Sequence, residues 1–175
     1  MSDLWEEIGL DQEGFVHLTE LKERWEHLDA GTLPPALLVQ AGLVARERDG
    51  VEGANTDLPS EDTRGFDDSL DNYQDRLCFL LKRPGAPFVN MITLGRGASC
   101  DIRISMGAVS KVQAYFLKEG DGWFLVDQRS SNGTFVNKSR LEPGQKHPVK
   151  DADQIRFGLD FVGQLVFPES LPSTF

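Results

Sequence analysis

Cysteine is scarce in this chain. Cys78 and Cys100 are the only two in 175 residues, too few for the disulfide framework that holds many small secreted domains together. The N-terminus shows no signal-peptide pattern, so both are expected to be reduced thiols in a cytoplasmic protein. Histidine is equally sparse: His17, His27 and His147 are scattered without the spacing of a metal site. Long apolar runs are missing too. The most apolar window, residues 33–45, is too short to span a bilayer and is broken by Pro34, Pro35 and Gly42. Phosphate-cradling and nucleophile motifs are absent: there is no P-loop and no Gly-x-Ser-x-Gly elbow. "GRGASC", residues 95–100, leads into a strand pattern rather than the helix a dinucleotide loop requires. Neither enzymatic activity nor a metal or cofactor is expected, and no membrane partner.

What is abundant is acid, but only in one half. Residues 1–76 carry 19 acidic and 6 basic side chains, whereas residues 77–175 carry 9 and 12, against a total charge of −10. Such asymmetry marks segments with different tasks. The acidic total and the lack of a basic aromatic stripe argue against a nucleic-acid partner.

Three regions follow. Residues 1–45 read as a helical N-terminal extension. Within residues 2–29, Leu18, Leu21, Trp25 and Leu28 fall on one helical face. Gly31 would end that helix, and Pro34-Pro35 would open a second one through about Val44. "GLDQEGFVHLTE", residues 9–20, shares some positions with a calcium loop. Its first ligand position is Gly9, however, so no metal is expected there. Residues 46–75 have almost no apolar periodicity and read as an acidic flexible linker. Residues 76–175 hold short apolar and alternating runs, including a hairpin signal at Gly120-Asp121-Gly122. About eight to ten strands are expected, with no long helix between them, which is the pattern of an all-β sandwich.

Three loops in that sandwich are chemically unusual: residues 95–99, residues 105–111, and "QRSSNGTFVN", residues 128–137. Asn-Gly alone would make a tight hairpin turn. The extra Arg, Ser and Asn side chains are surplus to that need. Together the loops offer Arg96, Lys111, Arg129, Ser110, Ser130, Ser131, Asn132 and Asn137. Donors combined with fixed positive charge suit a small, multiply charged oxyanion such as phosphate.

The order "LGRGASCDIRI", "VSKVQAYF", "WFLVDQRSSNGTFVN", "DADQIRFG" resembles a forkhead-associated (FHA) domain over about residues 77–167. That resemblance implies a β-sandwich of two antiparallel or mixed sheets that binds phosphothreonine peptides through loops at one end. It implies phosphopeptide contacts from Arg96, Ser110, Lys111, Ser131 and Asn132, with Arg129 reading the residue three places after the phosphothreonine. It gives loop-shaping roles to Gly95, Gln113, Gly133 and Asn137. The family's Ser-x-x-His is Ser110-Lys111-Val112-Gln113 here, and Ala152 stands where a glycine is common. The implied function is a phosphothreonine adaptor downstream of a Ser/Thr kinase; the alternative is a phosphate-independent FHA scaffold. Thr63 and Thr56 in the acidic linker are candidate phosphosites that the same domain could read back.

Overall fold

The computed structural model describes residues 3–39, 73 and 75–175. Among these residues two sheets face each other. The first has seven strands: β1 (Phe15–His17), β2 (Ala36–Val39), β3 (Arg76–Phe79), β8 (Thr134–Val136), β9 (Ser139–Arg140), β11 (Gln154–Phe157) and β12 (Phe161–Val166). They lie in the order β1-β3-β2-β12-β11-β8-β9. The second has five: β4 (Met91–Gly95), β5 (Ile102–Arg103), β6 (Ala114–Glu119), β7 (Gly122–Asp127) and β10 (His147–Val149), in the order β10-β7-β6-β4-β5. Among the described residues every pairing is antiparallel except β4 with β5. Ten strands thus fall between Arg76 and Val166, as the spacing of short runs predicts, and the expected hairpin joins β6 to β7 across Gly120-Asp121.

The inner faces of both sheets meet in a core that includes Phe15, Leu37, Leu94, Phe116, Leu125, Phe157 and Phe161. A second apolar cluster lies on the outer face of the larger sheet. There α1 (Leu4–Ile8), α2 (Leu18–Arg24) and a 3-10 helix over Pro168–Thr174 cover Leu38, Leu77, Phe79 and Val166. Leu18, Leu21, Trp25 and Leu28 all join that cluster, so the helical face read from their spacing is the face that packs.

The N-terminal region departs from the expected helical extension in two places. Strand β1 interrupts the helical stretch, and α1 stops at Gly9, which takes a left-handed φ of 83°. Residues 36–39, placed in a second helix by Pro34-Pro35, form a strand instead. Strand β2 pairs with β3 on one side and β12 on the other, and all four of its residues are buried. An apolar run covered on both faces loses the alternation that identifies a strand, so "ALLV" carries no signal separating strand from helix. The expected boundary at residue 45 therefore does not separate a helical appendage from the sandwich, because residues 15–17 and 36–39 are strands of its larger sheet. Residues 40–72, with Thr56, Thr63 and most of the expected acidic linker, lie outside the described residues.

Candidate functional site: three loops at one end of the sandwich

Strand β4 ends at Gly95, and the first loop, residues 96–101, leads into β5. The second, residues 104–113, joins β5 to β6. The third, residues 128–133, joins β7 to β8. They are fastened to one another by backbone contacts. Arg96 N–H donates to the Ser110 carbonyl at 2.9 Å, and Gly97 N–H to the Lys111 carbonyl at 2.9 Å. Such approach needs glycine. A Cβ on Gly95 would stand 2.5 Å from the Lys111 carbonyl oxygen and 2.8 Å from that of Ser110.

Gln113 ties the second loop to the third. It is fully buried. Its Oε1 accepts from Ser110 N–H at 3.0 Å, and its Nε2 donates to the Gly133 carbonyl at 2.8 Å and to Thr134 Oγ1 at 3.0 Å. A primary amide has both a donor and an acceptor end, and here both ends are used. Gln113 therefore supplies the loop support that the resemblance assigns to a histidine.

Within this frame Arg96, Ser110, Ser131 and Asn132 of the proposed ligand contacts are tied from loop to loop. Ser131 N–H donates to Ser110 Oγ at 3.0 Å, which leaves the Ser110 hydroxyl hydrogen to donate elsewhere. Arg96 is half-buried, and its Nε donates to the Val109 carbonyl at 3.2 Å, so the side chain is fastened to the second loop. Lys111, Arg129 and Ser131 are exposed. Arg129 takes a left-handed φ of 51°. Asn132 Nδ2 donates to the Ala108 carbonyl at 2.9 Å, a second tie between the loops. Asn137 is placed apart, beyond the far end of β8. Its amide donates to Asp153 Oδ1 at 2.8 Å and accepts from Gln154 N–H at 3.0 Å, shaping the β8–β9 turn rather than the recognition loops.

Four supporting groups were not singled out by sequence motif. Asp127 is buried at the end of β7 and accepts from Ser130 Oγ at 2.5 Å and Thr134 Oγ1 at 2.6 Å. Ser130 is thus bound inward, while Ser131 faces solvent. Asp101 is fully buried and accepts from Lys82 Nζ, Thr93 N–H, Thr93 Oγ1 and Arg83 N–H, all within 3.0 Å. Charge-assisted bonds of this kind lock the end of the first loop. Glu13 and Tyr73 hold the start of the second. Ser105 Oγ donates to Glu13 Oε1 at 2.8 Å, and Ser105 N–H donates to the Tyr73 hydroxyl at 2.8 Å. Tyr73 in turn donates to Glu13 Oε2 at 3.2 Å, and burial pushes its phenol up to about 12.

Residues 92–158 match the family model of the FHA domain. The chain carries an FHA domain. Among curated proteins it is similar to Protein FraH of Nostoc sp., 42% identical over 50 residues, which is 29% of this chain and 17% of that one. It is also similar to the E3 ubiquitin-protein ligase DMA2 of Saccharomyces cerevisiae, 37% identical over 60 residues, or 31% and 12% of the two chains. The matches thus span under a fifth of either relative. Among solved structures, one from a study of phosphothreonine-dependent FHA domain interactions is 25% identical, covers 55% of this chain and 88% of its own, and has a TM-score of 0.45. The N-terminal FHA domain of S. cerevisiae Rad53p with a phosphothreonine peptide is 22% identical, with 49% and 73% coverage and a TM-score of 0.42.

Proposed function

We propose that this FHA domain is a non-catalytic adaptor that binds a phosphothreonine peptide presented by a partner protein after the action of a Ser/Thr kinase, in the cytoplasm. The observation that carries the reading is the pairing of Ser110 Oγ with Ser131 N–H at 3.0 Å. It joins two loops at a point bordered by Arg96, Lys111 and Asn132. The only carboxylate in residues 96–101, 105–111 and 128–133 is Asp101, which is buried and fully engaged. A phosphothreonine brings about −1.5 to −2 charge and three acceptor oxygens. Fixed hydroxyl and amide donors with nearby cations complement it.

A catalytic reading has little support. Burial raises the Cys78 thiol to about 12 and also raises that of Cys100, the opposite of what a nucleophilic thiolate requires. Among the described residues no cluster of His, Cys, Asp and Glu is placed to hold a metal ion, and no helix is long and apolar enough to cross a membrane.

Fluorescence anisotropy on the purified chain tests the reading. A degenerate phosphothreonine peptide library is titrated beside its phosphoserine and unphosphorylated counterparts. Saturable binding that needs the phosphothreonine and is lost in Arg96→Ala and Ser110→Ala is the expected result. Partner association that survives Arg96→Ala and needs no phosphate would replace it with a phosphate-independent scaffold.

A further inference from the structure

The end of the sandwich opposite the recognition loops holds a groove. Strand β7 starts there, β6 and β12 finish there, and residues 29–35 cross it on the way into β2. The groove encloses about 450 Å³ and is lined by Pro34, Pro35, Trp123, Phe167 and Pro168. Both walls are pinned. Asp29 fixes the first: its carbonyl accepts from Thr32 N–H at 2.9 Å, and its Oδ1 accepts from Gly31 N–H at 3.0 Å. The Pro35 carbonyl accepts from Leu80 N–H at 2.8 Å. Asp151 fixes the second: its Oδ1 accepts from Phe167 N–H at 2.7 Å, and its Oδ2 accepts from Ser170 Oγ at 2.7 Å. The Pro34-Pro35 pair, which starts no helix, is thereby part of a rigid wall.

Trp123 is the floor. It joins the core on one side and the groove on the other, and is only 9% exposed. Among the described residues every side-chain donor and acceptor sealed from solvent has a partner, whereas the Trp123 indole N–H has none. That N–H therefore reaches open space, and the open space against Trp123 is the groove. The rim carries Lys118, Asp121 and Glu169, all exposed. Lys118 Nζ lies 5.9 Å from the Trp123 ring centroid. Among the described residues neither Asp121 nor Glu169 is in an ion pair.

We propose that this groove binds a proline-rich segment of a partner protein, in polyproline II form, with a lysine or arginine beside the prolines. Proline has no N–H, so its ring lies on an apolar wall without stranding a donor. Polyproline II makes no internal hydrogen bonds, so its carbonyls are free to accept, one of them from Trp123. Such a segment is extended before it binds and loses little entropy on docking. Any other extended segment brings backbone N–H groups that a wall of proline and aromatic rings leaves unpaired. The basic residue faces Asp121 and Glu169, which outnumber Lys118 on the rim. The groove is independent of the phosphothreonine reading, because it lies at the other end of the strands. With both ends filled, one chain joins two partners.

Proton–nitrogen NMR on the whole chain tests this directly. The chain has three tryptophans, so the Trp123 indole N–H is one of three such signals, and those of Trp5 and Trp25 are controls. The probes are a library of Pro-x-x-Pro peptides flanked by Arg, the same library flanked by Glu, and a Gly/Ser peptide flanked by Arg. Members of the Arg-flanked library are expected to shift the Trp123 signal saturably, together with the amides of residues 31–33 and 167–169. They should bind about fivefold or more tightly than their Glu-flanked counterparts, the gain of one well-placed ion pair. Replacing the exposed pair, Asp121→Lys with Glu169→Lys, should bring that ratio to one or below. Trp123→Phe keeps a ring and removes the donor, and should weaken binding about fivefold. A Trp123 signal that no library member moves would overturn the proposal. An equal response to the Gly/Ser peptide would also overturn it, leaving charge attraction alone. A Trp123 signal that moves with protein concentration in the absence of peptide would overturn it in favour of a second copy of this chain.

Discussion

Gln113 Nε2 lies 2.8 Å from the carbonyl oxygen of Gly133, across a gap of 20 residues in sequence, while Oε1 of the same side chain accepts from Ser110 N–H. One buried amide thus sets the spacing between the two loops that carry Ser110 and Ser131. Gln113→Glu preserves shape but turns the donor into an acceptor facing the Gly133 carbonyl. It is expected to cost about 2–3 kcal/mol, the penalty of buried polar groups left unpaired, and to weaken phosphopeptide binding more than tenfold. Gln113→His, which keeps one donor and one acceptor, should retain more of both. Urea denaturation and anisotropy on the same preparations check this.

Gly95 and Ala152 make a contrasting pair. Gly95 is required by space, since an added Cβ would stand 2.5 Å from the Lys111 carbonyl. Gly95→Ala should destabilise the chain by about 1–3 kcal/mol and displace the second loop. Ala152 takes a left-handed φ of 68°, which costs a residue with a side chain about 1 kcal/mol relative to glycine. Ala152→Gly should therefore raise the melting temperature by a few degrees with peptide affinity unchanged.

The Glu13–Tyr73–Ser105 triad gives an indirect route to the proposed binding site. None of these residues is among the proposed ligand contacts, yet Ser105 stands at the start of the second loop. Tyr73→Phe removes the acceptor of Ser105 N–H and one donor to Glu13. A stability loss of about 1–2 kcal/mol is expected. Faster amide hydrogen exchange confined to residues 104–110 would locate the effect in the loop. Exchange that rises evenly across the sandwich would count against it.

Alkaline pH should unfold the protein earlier than it would a chain without buried thiols. Burial raises Cys78 from 9.0 to about 12 and Tyr73 from 10.0 to about 12. The folded state therefore holds protons that the unfolded chain has already lost. This stability is fully present below pH 9 and is lost progressively as pH rises towards 12. The urea midpoint should drop between pH 8 and pH 10.5. The drop should be smaller in Cys78→Ala, whatever that variant's own stability at pH 8.

Much of the recognition end was legible because its information is local. Gly95, Ser110, Ser131, Asn132 and Gly133 lie in short loops whose residue types need explaining beyond the turn, and the structure brings them together. The rest depends on partners far away in the chain. Asp127 and Asp101 read as ordinary surface acids until the donors around them are known. Ser105 meets Glu13 from 92 residues away, and nothing near either residue signals the contact. Asn137 illustrates the reverse error: a motif position close in sequence to Asn132 lies at the other end of its strand. Strand β2 escaped for a different reason, because full burial erased its period.

The position of β2 also sets what can be cut from this protein. Covalent order places residues 36–39 far before the FHA motifs, whereas spatial order places them in the interior of the sheet, between β3 and β12. A fragment starting at Arg76 would carry every recognition-loop residue named above and still lack that strand. With β1 lost as well, both edges of β3 and one edge of β12 would then face water, open to a neighbouring chain. The domain has an outline in space that no single stretch of its sequence contains.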